Sequence, residues 1–200
     1  MYPLFESVCI ENSQIKNADY HEARFRRSYM QLYKTHPTYS LFDGIHLTNL
    51  NPTLKYKLRI GYKQHGTRFS FSEYDNSIPS SLKPVSDDTI SYNVKRNNRK
   101  KLNNLYKQKG DFDDVLIIKN GLVTDTSYAN ILLKDSKQIV TPSTPLLEGT
   151  CRARLLDENK ITEKRILEAE IQNFESFQLI NALNDFDENR WVPITNISKG

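Results

Sequence analysis

DDVLIIKNGLVTDTSYANILLKDSKQIVTP, residues 113–142, is a series of short apolar runs broken at Asn120-Gly121 and Asp135-Ser136. Asn-Gly between apolar runs marks a two-residue hairpin, because both central residues of a type I′ turn need a positive φ. The stretch therefore reads as a meander of β-strands. Downstream, LLEGTCRARLLDEN predicts a loop entering a helix at Gly149, and the tail carries KRIL, EAEIQNF and FQLINAL, which predict strand, short helix and strand.

Upstream lies ISYNVKRNNRKKLNNLYKQKG, residues 90–110, with seven lysines and arginines and no acid. Its pattern predicts a helix with Leu102, Leu105 and Tyr106 on the inner side. The charges form either a solvated face or a surface for phosphate. The helix offers only Tyr106 as a stacking aromatic, which disfavours a nucleic-acid partner.

Farther upstream, LFESVCIENSQI suggests a hairpin turning at Glu11 to Ser13, and ADYHEARFRRSYMQLYKTH a helix on which His21 and Arg24 share a face. LKYKLRIGYKQHGTRFSFSEY reads as two alternating strands around His65-Gly66, and DNSIPSSLKPVSDD as a linker. An α+β chain of two small units is expected, residues 1–85 and 86–200, the second carrying the strand meander.

The 200 residues are 38% hydrophobic and 26% charged, which excludes disorder as the default state. A net charge of +4 is too mild to argue for nucleic acid by itself. Cys9 and Cys151 lack the spacing of a zinc site, and reduced thiols are expected. His36, His46 and His65 show no ligand spacing, so no metal is expected. Neither a signal-peptide pattern nor a long apolar run is present, so a cytoplasmic protein with no membrane contact is expected.

Three features on separate elements bear on chemistry: Lys95 at the start of the second unit, Asp125 in VTDTSYAN, and Gly149 to Arg152 in LEGTCR. Singly, they read as an exposed charge, a turn cap and a backbone device. In their order and spacing the chain resembles the class IV aminotransferases, the fold-type IV enzymes that use pyridoxal phosphate. The likeness runs from FES to ITNI. It implies that Lys95 in KRNNR carries the Schiff base, with Arg99 four residues on and possessing either a functional or only a structural role. It implies that Arg24 of His21-Glu22-Ala23-Arg24 grips the cofactor phosphate, for which a planar guanidinium is suited. VTDTSYANILL resembles the family's T-E-x-x-x-x-N-[IL] segment, so Asp125 matches the acid that pairs with the pyridine nitrogen and Asn130 the asparagine after it. LLEGTCRARLL resembles L-x-G-I-T-R, whose helix-start amides hold the phosphate, here at Gly149, Thr150 and Cys151.

Further expectations follow from the same resemblance. Ser7 in FES is either a polar group near the site or a hydroxyl facing a turn. Arg59 is either a partner for a substrate carboxylate or a surface charge. Asn181 follows Ile180 where the family commonly has a threonine. Lys95 must lose its proton to attack an aldehyde, which burial and the cations Arg96 and Arg99 would favour. The chain begins almost at FES, which implies a trimmed first unit completed by a partner subunit in a homodimer. The implied fold places the cofactor in a cleft between the units. The implied activity is on a small-molecule amino substrate, most closely that of 4-amino-4-deoxychorismate lyase; an amino-acid aminotransferase or a non-catalytic pyridoxal-phosphate-binding relative are the alternatives.

Overall fold

The computed structural model of the chain describes residues 2–75 and 77–199. The chain divides into two compact units, Met1–Asn76 with Val94–Asn98, and Ser77–Asn93 with Arg99–Gly200. Unlike a single cut between residues 85 and 86, this division gives Lys95 to the first unit.

In the first unit, β1 (Leu4–Glu11) turns through Asn12 and Ser13, both at positive φ, into β2 (Gln14–Ile15). Helix α1 (Ala18–Tyr33) follows, then β3 (Tyr56–Tyr62) and β4 (Thr67–Glu73), giving an antiparallel sheet in the order β2-β1-β3-β4. Strand alternation sorts the sheet's two faces. Leu4, Val8 and Ile10 of β1 and Leu58, Ile60 and Tyr62 of β3 pack with Phe25 and Tyr29 of α1. Phe5 and Ser7 project from the opposite face, with Arg59 directly across from Ser7. Residues 95–97 run antiparallel to the start of β1: the Phe5 N–H donates to the Lys95 carbonyl, and the Asn97 N–H to that of Pro3.

The second unit opens with β5 (Leu82–Ser86), inside the segment expected to be a linker. Leu82 is fully buried, and β5 pairs in parallel with β6 at the edge of the sheet, where Pro84 needs no donor on its outer side. The basic stretch holds only a short helix, α2 (Lys100–Tyr106), with a single 3₁₀ turn after it. Leu102 and Leu105 are buried as expected, but Tyr106 faces outward. The meander is β6 (Asp114–Lys119), β7 (Leu122–Thr126), β8 (Asn130–Lys134) and β9 (Ile139–Pro142), with Asn120 and Gly121 both at positive φ. Helix α3 (Thr150–Asp157) leads to β10 (Thr162–Lys164), which begins two residues before the expected KRIL strand; Arg165 and Ile166 lie outside any strand, and Leu167 makes a single antiparallel bridge to Leu122 before a 3₁₀ helix over Glu168–Asn173. β11 (Ser176–Ile180) pairs with β8 and with the short β12 (Val192–Pro193). The sheet order is β10-β9-β8-β7-β6-β5, and Leu116, Ile131, Leu133, Phe177 and Leu179 lie in its main core.

Candidate active site

Asp125, the penultimate residue of β7, is buried opposite Asn130. Its Oδ1 accepts a hydrogen bond from Asn130 Nδ2 at 2.7 Å, and its Oδ2 accepts one from the Leu147 backbone at 2.9 Å. Asn130 Nδ2 also donates to the Leu147 carbonyl at 3.0 Å. Both polar groups of Leu147 are thus held by the acid and the amide, which ties the β7–β8 turn to the loop entering α3. Burial pushes the Asp125 pKa up to about 6, against the lowering effect of these hydrogen bonds and of Arg152. Among the described residues no basic side chain forms an ion pair with Asp125, so this carboxylate suits a cation brought from outside the chain.

Gly149 precedes α3 with φ −69°, ψ 145°, a conformation any residue adopts. Its need for glycine is one of space: a Cβ there would stand 1.9 Å from Asn130 Oδ1. The close approach sets the beginning of α3 against the Asp125–Asn130 pair. Amides of a helix's first turn lack carbonyl partners within the helix and attract anions, which gives Thr150 and Cys151 backbone donors for a phosphate. The Cys151 side chain serves another purpose. Its thiol donates to Asp185 at 3.2 Å, and burial, aided by Asp185, raises its pKa to about 12. Arg152 is buried, donating to the Pro142 carbonyl at 3.0 Å and pairing with Glu163. Asn181 lies just past β11, where its side chain caps a turn by accepting from the Leu183 and Asn184 backbones.

In the first unit, Arg24 meets a residue that the sequence pattern did not single out. Glu6, the acid of FES, has no exposed surface and receives Arg24 Nε at 3.0 Å, Arg24 Nη2, and His21 Nδ1 at 2.7 Å. Burial alone would raise the Glu6 pKa, but Arg24 and His21 outweigh it and hold the carboxyl down to about 2. Burial lowers the His21 pKa despite Glu6, so the ring is neutral near pH 7 and its Nδ1–H is the donor. The spacing of His21 and Arg24 on one helical face hinted at a shared acidic partner. An acid on a hairpin strand otherwise looks like a solvent-facing residue.

Lys95 is half-buried, with Nζ 5.2 Å from the centre of the Phe5 ring. It also acts electrostatically on His21, as Arg24 does. The Arg59 guanidinium lies 3.7 Å over the same Phe5 ring and donates to Asn97 Oδ1, while half-buried Ser7 sits across from Arg59. Phe5 therefore gathers Ser7, Arg59 and Lys95 on one face of the first sheet. Lys100, Lys101 and Lys107 are exposed, as are His36, His46 and His65. Among the described residues there is no group of acids, histidines or cysteines able to hold a metal ion, and no helix long and apolar enough to cross a membrane.

The model of the amino-transferase class IV family matches residues 3–197. An uncharacterised protein of Haemophilus influenzae is 40% identical over 186 residues, spanning 92% of this chain and 99% of its own length. A crystal structure from Haemophilus somnus, of a protein provisionally named 4-amino-4-deoxychorismate lyase, superposes with a TM-score of 0.88 at 36% identity, covering 93% of this chain and 98% of that one. A Brucella abortus aminotransferase crystallised with pyridoxal phosphate shares the fold at a TM-score of 0.73 and 15% identity, covering 95% of this chain and 79% of that one. The chain belongs to the class IV aminotransferase family, the pyridoxal-phosphate-dependent enzymes of fold type IV.

Proposed function

We propose that the protein is a 4-amino-4-deoxychorismate lyase, eliminating pyruvate from an amino substrate to release 4-aminobenzoate, a precursor of folate. The 36% identity to the Haemophilus somnus protein over nearly the whole of both chains is the observation that carries this choice within the family. The donor set suits the family's cofactor: a buried carboxylate lacking an ion-pair partner, a glycine-led helix start and a half-buried lysine.

When bound, pyridoxal phosphate supplies an electron sink for the pair released at the carbon beside the substrate amine. Lys95 Nζ is the amine that would hold the cofactor through its aldehyde. With the cofactor and an amino substrate bound, Lys95 Nζ would be the base that takes the proton from the amine-bearing carbon and the acid that returns it to the enol side chain, which would leave as pyruvate. Asp125 keeps the pyridine nitrogen protonated, and the Asn130 amide and Leu147 N–H fix the orientation of its carboxylate. The backbone at Gly149, Thr150 and Cys151 binds the phosphate, with Arg24 as a second cationic contact. Arg24 chelates Glu6 through Nε and Nη2, and this pairing fixes the direction of its guanidinium. Arg59, with Ser7 beside it, receives a substrate carboxylate. A homodimer is inferred for this chain.

A coupled assay tests the activity. Purified protein loaded with pyridoxal phosphate and given 4-amino-4-deoxychorismate is expected to release pyruvate and 4-aminobenzoate in equal amounts without any 2-oxoacid. Amino-group transfer to a 2-oxoacid, with no pyruvate released, would instead establish the aminotransferase. A yellow protein inactive on every amino donor would point to a binding relative.

A further inference from the structure

Arg99 has no part in the chemistry above, yet it is held by several partners. Its Nη2 donates to the Ser127 carbonyl at 2.7 Å. Its guanidinium lies 4.2 Å over the Tyr128 ring and 5.6 Å from that of Tyr92, whose hydroxyl accepts from Nη1 at 3.4 Å. Ser127 and Tyr128 form the tip of the turn joining β7 to β8. Asp125 lies just before this turn and Asn130 just after it.

The turn is closed by its own bonds: the Thr126 N–H reaches the Ala129 carbonyl at 2.9 Å, and the Ala129 N–H reaches Thr126 Oγ1 at 3.1 Å. Asn181 Nδ2 adds a long contact to the Tyr128 carbonyl at 3.5 Å. Two observations separate Arg99 from a solvated surface arginine. Its Nε is buried without a hydrogen-bond partner, whereas an arginine placed for its own solvation would keep that donor wet. Tyr128 is 62% exposed, a large ring left at the surface with a guanidinium over it.

We propose that Arg99 is a positioning residue that fixes the turn between Asp125 and Asn130, and through it the direction of the Asp125 carboxylate. Its bearing on catalysis rests on the cofactor roles proposed for Asp125 and Asn130. One planar group performs both tasks, donating along its edge to Ser127 and stacking by its face on Tyr128. A lysine ammonium carries the same charge but has no plane to stack. Because Asp125 and Asn130 face each other across the ends of this turn, a shift at its tip turns the carboxylate relative to any ring nitrogen it meets.

The test compares Arg99→Lys and Arg99→Met with the parent. In cofactor-free protein, amide hydrogen exchange at Thr126 and Ala129 is expected to quicken roughly tenfold in both variants. The titration midpoint of Asp125, followed by carboxyl carbon NMR, is expected to fall toward an ordinary carboxylate as water enters. In the loaded enzyme, kcat is expected to drop roughly tenfold with KM changed less than about threefold, since uniform binding is untouched. Unchanged turn exchange and an unchanged Asp125 midpoint in Arg99→Met would overturn the proposal, as would complete rescue by Arg99→Lys. If Arg99→Met does not fold, Tyr128→Leu removes the stacked ring but keeps the Ser127 bond, and the same two cofactor-free measurements are expected to shift in the same directions; no shift would overturn the proposal. A parent protein inactive on every amino substrate would sink the proposed function, while the cofactor-free measurements would still decide the role of Arg99.

Discussion

Replacing Gly149 with alanine puts a methyl group where Asn130 Oδ1 stands, 1.9 Å from it and 3.1 Å from Cγ. The backbone there is comfortable for alanine, so strain contributes nothing and the clash decides the outcome. Asn130 must swing away, giving up its bond to the Asp125 carboxylate at 2.7 Å and its bond to the Leu147 carbonyl at 3.0 Å. The first is charge-assisted and the second neutral, so together their loss costs about 2–4 kcal/mol. Asp125 also loses a hydrogen bond that favours its charged form, so its pKa climbs above about 6. Urea unfolding of the cofactor-free protein measures the first effect and carboxyl NMR the second. A double-mutant cycle isolates the cause: in an Asn130→Ala background the obstructing oxygen is gone, and Gly149→Ala is expected to change stability by less than about 0.5 kcal/mol. If Gly149→Ala is within about 0.5 kcal/mol of the parent, or if the two substitutions are simply additive, the close approach is not what requires glycine.

Two buried acids give opposite pH signatures. Glu6 is depressed to about 2, so its contribution to stability is complete above the unfolded value near pH 4.5 and is lost as pH falls toward 2. It amounts to about 3 kcal/mol, and Glu6→Gln should abolish that acid-limb slope in urea unfolding while destabilising the protein at neutral pH. Asp125 is raised to about 6, so its contribution is present below the unfolded value of 3.8 and disappears as pH rises through 6. Asp125→Asn should flatten the decline in cofactor-free stability across that window, and an unchanged decline would assign it to another group. Bound pyridoxal phosphate, by placing a cation beside Asp125, should likewise shift the decline to lower pH.

Much of the meander could be read in advance because its signals are local. Asn120-Gly121 is a pair that tolerates positive φ at both positions, as a type I′ turn demands, and the apolar runs on either side are of strand length. The edge strand β5 was hidden because Pro84 and the neighbouring serines and aspartates carry the composition of a linker, and only its parallel pairing with β6 shows otherwise. Tyr106 follows a helical apolar spacing but lies at the last residue of a short helix, where its ring packs edge-on to Tyr128 at 6.4 Å instead of entering the core. Glu6 lay within a quoted motif, yet an acid in a strand reveals its partner only when the strand and α1 pack together. The steric reason for Gly149 was equally out of reach, since it resides in an asparagine nineteen residues earlier in the chain.

The covalent role of Lys95 is the central claim, and chemical trapping tests it most directly. Protein incubated with pyridoxal phosphate is expected to absorb near the violet edge of the visible range, to lose that band on borohydride treatment, and to carry the reduced cofactor on the peptide containing Lys95. A mass adduct on Lys100 or Lys101, or a colourless protein with no adduct at all, would contradict it.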